Sequence, residues 1–298
     1  MPFLFLPFFL HTRRLHHLLY KVRHLYYYAR MFDYKLICTD IDGTLLNPQH
    51  QITERTKLAL RKARKMGIHV ALVSGRIGSS LRILQQEIGI EGPLGCFNGS
   101  LVLDEDGKEL EAHPLPLAWS REVLSFVQDT DLETFLFTNE SWYMKQKSRW
   151  YDVEVEASRT EGRIASLSTI EDVLAETERP FKLLCMHHEP EYVKTMEKVL
   201  QERFGSHLNI FSSSPKYIEI LARGVDKGHA VRSLCNAYQL DASQVMAVGD
   251  YYNDIGMFRA AGYSVAMANA PGDVAKHATA MTKSNTEDGL ALAIEAIL

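Results

Sequence analysis

The chain of 298 residues is long enough for one large domain or two ordinary ones, and its 46% hydrophobic and 23% charged residues are typical of a soluble globular protein. A net charge of −4, with no basic stripe interleaved with aromatics in the body, gives no reason to expect a nucleic-acid partner. Four scattered cysteines (Cys38, Cys96, Cys185, Cys235) make neither a CxxC pair nor a disulfide framework, and suit buried thiols in a reducing, cytoplasmic compartment.

Residues 1–30 are unlike the rest. They hold no acidic residue but carry Arg13, Arg14, Lys21, Arg23 and Arg30. The apolar run Phe3 to Leu10 is too short to span a bilayer. It also precedes the basic cluster, the reverse of a secretory signal. The segment reads as a disordered extension or an artefact of start-site choice, with Met31 as a natural beginning; a transit peptide or a peripheral anchor stays open. Stable membrane insertion is not expected, and His11, His16 and His17 read as solvated rather than metal-binding.

The first strong element is Lys35 to Leu46, an apolar run that ends in Asp40 and Asp42 and breaks at Gly43. Such a run bounded by a turn signal reads as a buried parallel strand. Residues i and i+2 of a strand share a face, so both carboxylates leave one side at its carboxyl end, where open α/β sheets bind ligands. Two like charges so close need a cation or a proton between them. An EF-hand is excluded, because its glycine and glutamate positions hold Leu45 and Gln51. Neither a Walker loop nor G-x-G-x-x-G is present, which argues against P-loop and dinucleotide enzymes.

Thr53 is a fitting N-cap for a helix whose apolar residues recur to Met66, with Gly67 as its stop. Ile68 to Val73 is a second β-branched run, ending in Ser74-Gly75-Arg76, which completes a βαβ unit. A helix over Ser79–Ile88, a short strand to Phe97 and a hairpin over Leu101–Leu110 follow. After His113-Pro114-Leu115-Pro116 the pattern changes. A helix over Leu117–Gln128, strands over Leu132–Thr138, Trp142–Lys145, Leu183–His187 and Leu208–Ser212, and a helix over Glu191–Phe204 describe a small α+β unit. Trp150 to Ser168 supports no assignment.

From Tyr217 the parallel pattern is expected to return. A helix over Asp226–Tyr238 carries Lys227 in its first turn, and the strand Val245–Val248 closes on Gly249-Asp250. A helix over Asn253–Ala261, a strand over Tyr263–Met267 and a helix over Asn285–Leu298 complete the chain. The expected fold is α/β: a Rossmann-like, doubly wound parallel-sheet core, residues 31–114 and 217–298, with an α+β domain inserted over 115–216.

Asp250 stands at a strand end that in such a sheet faces the same crevice as Asp40. Asp40, Asp42 and Asp250 converging there would make a hard, oxygen-rich site of the kind Mg²⁺ prefers. Ser74 offers a hydroxyl to that crevice and Lys227 a compact positive charge at a helix start, both suited to a phosphate.

The segments Asp40–Leu45, Val73–Arg76, Asp226–Gly228 and Gly249–Asp254 resemble, in order, the four motifs of the haloacid-dehalogenase superfamily of phosphohydrolases. The similarity is closest to the Cof-type subfamily, extends to Asn98-Gly99 and Val265–Ala270, and spans Phe32 to the C-terminus. The insertion between Ser74 and Lys227 looks like a C2 cap. The resemblance implies that Asp40 is the nucleophile, forming an aspartyl-phosphate, and that Asp42 protonates the leaving oxygen and then accepts a proton from water. It implies Mg²⁺ held by Asp40, Asp250 and the backbone carbonyl of Asp42, with Asp254 behind them. Ile41, Ser74, Gly75, Lys227 and Asn253 would hold the phosphoryl oxygens. Thr44 would orient Asp42 or cap the turn.

Tyr251-Tyr252 departs from the family pattern; these rings would either narrow the entrance or pack outward. The expected activity is hydrolysis of small organic phosphates such as sugar, flavin or pyridoxal phosphates. A phosphomannomutase-like transferase and a catalytically idle phosphometabolite-binding regulator are the alternatives. No protein partner is readable.

Overall fold

The computed structural model describes residues 33–167, 174 and 177–298. The expectations for residues 1–30, for Met31 and for Ser168 lie outside the described residues.

The chain begins with β1 (Leu36–Thr39), buried at every position because its sheet is covered on both faces. The alternation along it divides the core. Ile37 packs with Val70, Leu72, Met246 and Val248 on one side, while Leu36 and Cys38 pack with Ala71, Val73, Val245 and Ala247 on the other. Each such Leu, Ile, Val or Met side chain removed from water stabilises the fold by about 1.5–3 kcal/mol.

Helix α1 (Glu54–Lys65) is capped by Thr53, whose hydroxyl accepts from the Thr56 N–H, and stops at Gly67 with φ 82°. There follow β2 (His69–Val73), α2 (Gly78–Ile88), β3 (Leu94–Cys96), β4 (Leu101–Leu103) and β5 (Glu109–Ala112). The last two form the expected hairpin. The first sheet runs β14-β13-β12-β1-β2-β3-β4-β5, parallel from β14 to β3 and antiparallel beyond. Its later strands are β12 (Val245–Gly249), β13 (Tyr263–Ala266) and β14 (Ala280–Met281).

All the strands of a second sheet lie in sequence between β5 and β12. They are β6 (Glu133–Thr138), β7 (Trp142–Met144), β8 (Arg163–Ile164), β9 (Pro180–Met186), β10 (Leu208–Ser214) and β11 (Tyr217–Ala222), in the order β10-β11-β9-β6-β7-β8. One face carries α3 (Leu117–Val127) and α5 (Pro190–Phe204); Leu136, Leu183, Ile218 and Ile220 fill the space between. The opposite face presents Phe135, Phe137 and Phe181 to the first sheet's core, where Phe181 stacks on Phe97 at 5.5 Å.

Between β7 and β8 lies α4 (Arg149–Ser158), capped by Ser148, in the stretch that supports no assignment from sequence. The parallel pattern does not resume at Tyr217. Strand β11 pairs antiparallel with β9 and β10, because Ile218 and Ile220 face the second core. The return comes with α6 (Lys227–Tyr238).

Two other boundaries move. The helix expected from Asn253 is α7 (Ile255–Ala260), because Tyr252–Asp254 forms a tight 3₁₀ turn before it. After α8 (Gly272–Ala275), the terminal helix is α9 (Gly289–Glu295). Residues Ser284 to Glu287 form a turn of their own, in which the Glu287 carboxylate accepts from the Ser284 hydroxyl.

Candidate active site

Strands β1 and β12 are parallel neighbours with Thr39 opposite Val248, so Asp40 and Asp250 emerge side by side at their carboxyl ends. The turn after β1 is held by the Ile41 carbonyl, which accepts from the Thr44 and Leu46 N–H groups. Gly43 has φ 83°, and a Cβ there would lie 2.3 Å from Asp250 Oδ2. That position therefore requires glycine twice over, for its backbone and for its clearance. Gly43→Ala is expected to push Asp250 aside and weaken divalent-ion binding on the order of 10–100-fold, as seen when groups that orient metal ligands are lost; calorimetric titration with Mg²⁺ measures it.

The 3₁₀ turn brings a third carboxylate inward. Asp254 Oδ2 accepts from the N–H groups of Asp250 and Tyr251 at 2.7 and 2.9 Å, and its other oxygen accepts from Lys227 Nζ at 2.6 Å. Gly249 leaves room for this, since a Cβ there would lie 2.4 Å from Asp254 Cγ. Lys227, only 1% exposed, also donates to Asp40 Oδ1 at 2.5 Å. Thr44, expected to orient Asp42 or cap the turn, instead donates to Asp250 Oδ1 at 2.9 Å. Asn269 reaches across to bond both the Gly43 carbonyl and Asp250 Oδ2.

Asp40, Asp250 and Asp254 each place a carboxylate oxygen within 4.8 Å of the others, all buried, and Lys227 is the ammonium bonded among them. Burial and the charge of Asp254 drive Asp40 well above the usual carboxylate range, despite Lys227. The same two causes push Asp250 to about 6. Burial works against the Lys227 charge, but Asp254 and Asp40 outweigh it and hold the ammonium protonated. With all three carboxylates ionised against one ammonium, the cluster is two positive charges short of neutrality. A hard divalent cation with oxygen ligands, such as Mg²⁺, fits that deficit.

The Asp42 carboxylate is not part of this cluster. It turns to Arg76, whose Nε and Nη2 donate to it at 2.9 and 2.6 Å. Removal from bulk water raises its pKa, but the guanidinium outweighs this and holds Asp42 below its ordinary value. Arg76 Nη1 also bonds the Ala157 carbonyl in α4 of the second unit.

The crevice between the two units encloses about 400 Å³. Asp40, Asp42, Ser74, Gly75, Asp250 and Asn253 line it from the first unit. Glu154, Lys182, Tyr217 and Glu219 line it from the second. Lys182 Nζ bonds the Gly75 carbonyl at 2.7 Å. Asn253 donates to Asn98, which donates to Glu219. Burial pushes Glu154 up to about 7, with Lys182 and Arg76 only partly offsetting it. Ile41 keeps its side chain in the core beside Asp40. Tyr251 lines the crevice, whereas Tyr252 is half-exposed and bonds Asp273, so one ring of the pair narrows the entrance and the other packs outward.

Glu154, Lys182 and Glu219 were not indicated by the sequence, since a single charged residue in a strand or helix carries no spacing signal. Arg76 had a signal: it follows Ser74-Gly75 directly.

The family described as haloacid dehalogenase-like hydrolase matches residues 37–294. The chain is 29% identical to phosphatase YwpJ of Bacillus subtilis over 278 residues, covering 86% of this chain and 97% of that one. It is 30% identical to the 5-amino-6-(5-phospho-D-ribitylamino)uracil phosphatase YcsE of the same organism, with 88% and 95% covered. The fold is similar to that of a haloacid dehalogenase-like hydrolase from Bacteroides thetaiotaomicron, with a TM-score of 0.81, 27% identity, and 89% and 100% covered.

Proposed function

Because this chain belongs to the haloacid dehalogenase-like hydrolase family and is a phosphatase of it, we propose that it hydrolyses small organic phosphate monoesters with Mg²⁺ through an aspartyl-phosphate. The observation that carries the reading is the buried cluster of three carboxylates and one lysine, of which Asp40 and Asp250 line a crevice sized for a metabolite. Asp40 and Asp250, with the Asp42 carbonyl, would hold the ion, and Asp254 would fix Lys227 behind them. When bound, Mg²⁺ neutralises charge on the phosphoryl oxygens.

The chain's own residues supply the rest. Asp40 attacks phosphorus as the bond to the leaving oxygen breaks. Asp42 gives that oxygen a proton, then takes one from the water that cleaves the acyl phosphate. Arg76 must release Asp42 for this, since a carboxyl paired with a guanidinium is a poor acid. Lys227 has donors for three partners and uses two on Asp40 and Asp254, which leaves one for a phosphoryl oxygen. Ser74, Gly75, the Ile41 backbone and Asn253 frame the remaining oxygens. The six-stranded unit, inserted between the two parts of the catalytic core, would act as a cap that closes the crevice and selects the leaving group.

The named substrate of YcsE is a ribityl phosphate bearing a uracil ring; the crevice here would take a comparable sugar, flavin or pyridoxal phosphate. The four free cysteines, three of them buried, support a cytoplasmic setting. Among the described residues no helix is long and apolar enough to cross a membrane.

Phosphate release from a panel of such monoesters is expected with Mg²⁺, lost on chelation with EDTA and restored by Mg²⁺. No release from any member overturns the reading. A pH dependence follows from the cluster. Asp250 is raised to about 6 and Asp40 is raised as well, so in metal-free protein the Asp250 contribution to stability is present at low pH and lost as pH rises through about 6, and the Asp40 contribution is likewise lost on raising the pH. Mg²⁺ competes with those protons, so its affinity is expected to fall as pH drops through the same value. Calorimetric titration on either side of it checks the slope.

A further inference from the structure

Glu111 is the last residue but one of strand β5 and His113 follows two residues later, on the same face of the extended chain. Across from them, His229 stands in the first turn of α6, two residues after Lys227. The two rings meet edge to face with centroids 4.6 Å apart. His113 Nε2 and His229 Nε2 each lie 3.0 Å from the same oxygen, Glu111 Oε1. Among the described residues this is the second group of three whose ligand atoms all fall within 4.8 Å.

A plain hydrogen-bonded trio accounts for His113, which is bonded to Glu111. His229 Nε2 faces the same carboxylate as an ion pair at 3.0 Å, but out of line for a hydrogen bond, and is shut off from water. A ring nitrogen so placed, beside an anionic oxygen and a second imidazole, is also placed to bind a cation through its lone pair. Donors bound at the usual lengths to one tetrahedral ion lie about 3.3–3.5 Å apart, so these side chains would part by a few tenths of an ångström to admit one.

We propose that Glu111, His113 and His229 form a second metal site for a divalent ion of the zinc class. Two imidazoles and a carboxylate are the donors of open zinc sites, with water completing the shell. Mg²⁺ prefers oxygen ligands throughout, so the two sites of this protein select different ions. The location gives the site a task. His113 begins the segment through which the chain leaves the first sheet, and His229 lies just beyond the segment through which it returns. A bound ion joins the two at the base of the six-stranded unit and steadies the helix that carries Lys227.

Equilibrium dialysis of the full chain against Zn²⁺ in excess Mg²⁺ tests this, with bound metal read by atomic spectroscopy. Wild type is expected to retain one more zinc per chain than His113→Ala, and zinc is expected to raise the melting temperature of wild type alone. Glu111→Gln keeps the side chain's shape while removing the anionic ligand. It is expected to weaken zinc at least about tenfold, and it decides the matter if His113→Ala does not fold. Equal zinc retention by wild type and either folded variant overturns the site.

Discussion

Asp40→Asn is expected to lower phosphate release on the order of 10⁴-fold or more, the scale reached when a nucleophile is removed. The amide cannot attack phosphorus, while its shape still fits beside Lys227. Stability should move the other way. Asp40 is buried with its ionised form disfavoured by burial and by Asp254, so replacing it by a neutral group relieves crowding in metal-free protein. The melting temperature in EDTA is therefore expected to hold or rise as activity vanishes. Equal turnover by wild type and variant would remove Asp40 from the nucleophile's role.

Lys227→Met is expected to destabilise the metal-free protein by about 3–5 kcal/mol, the cost of leaving buried charges without their partner. Methionine fills the space of the lysine stem but leaves Asp40 and Asp254 without the ammonium that bonds both. Phosphate release should be lost as well. Mg²⁺ would restore part of the missing positive charge, so the deficit in melting temperature is expected to be smaller with the ion than in EDTA. An unchanged melting temperature in EDTA would mean that the carboxylates take up protons at no cost, and that Lys227 is not needed to hold the cluster.

The ends of the first-sheet strands were legible because buried parallel strands are short apolar runs that stop at a polar turn. Asp40, Ser74 and Asp250 each follow such a run directly. Asp254 comes after that strand end, and a 3₁₀ turn, which carries no period, folds it inward to bond Lys227. Strand β11 reads Tyr-Ile-Glu-Ile-Leu-Ala, and that alternation is equally good for either sheet. Only its pairing with β9 and β10 decides the matter, and long-range pairing leaves no mark in a local pattern. The partner of Asp42 escaped for the same reason. Arg76 lies 34 positions away, and only the packed crevice brings the two together.

Among the described residues the chain passes between the two sheets twice, by His113–Pro116 on the way out and Arg223–Asp226 on the way back. Every residue of the carboxylate cluster lies outside that excursion. The six-stranded unit is thus a cassette: its sequence can drift, lengthen or be exchanged while the cluster keeps its geometry. Polar contacts such as Lys182 to the Gly75 carbonyl, Glu219 to Asn98, Ala157 to Arg76 and Arg159 to Glu87 are the seams a transplanted cassette would have to rebuild.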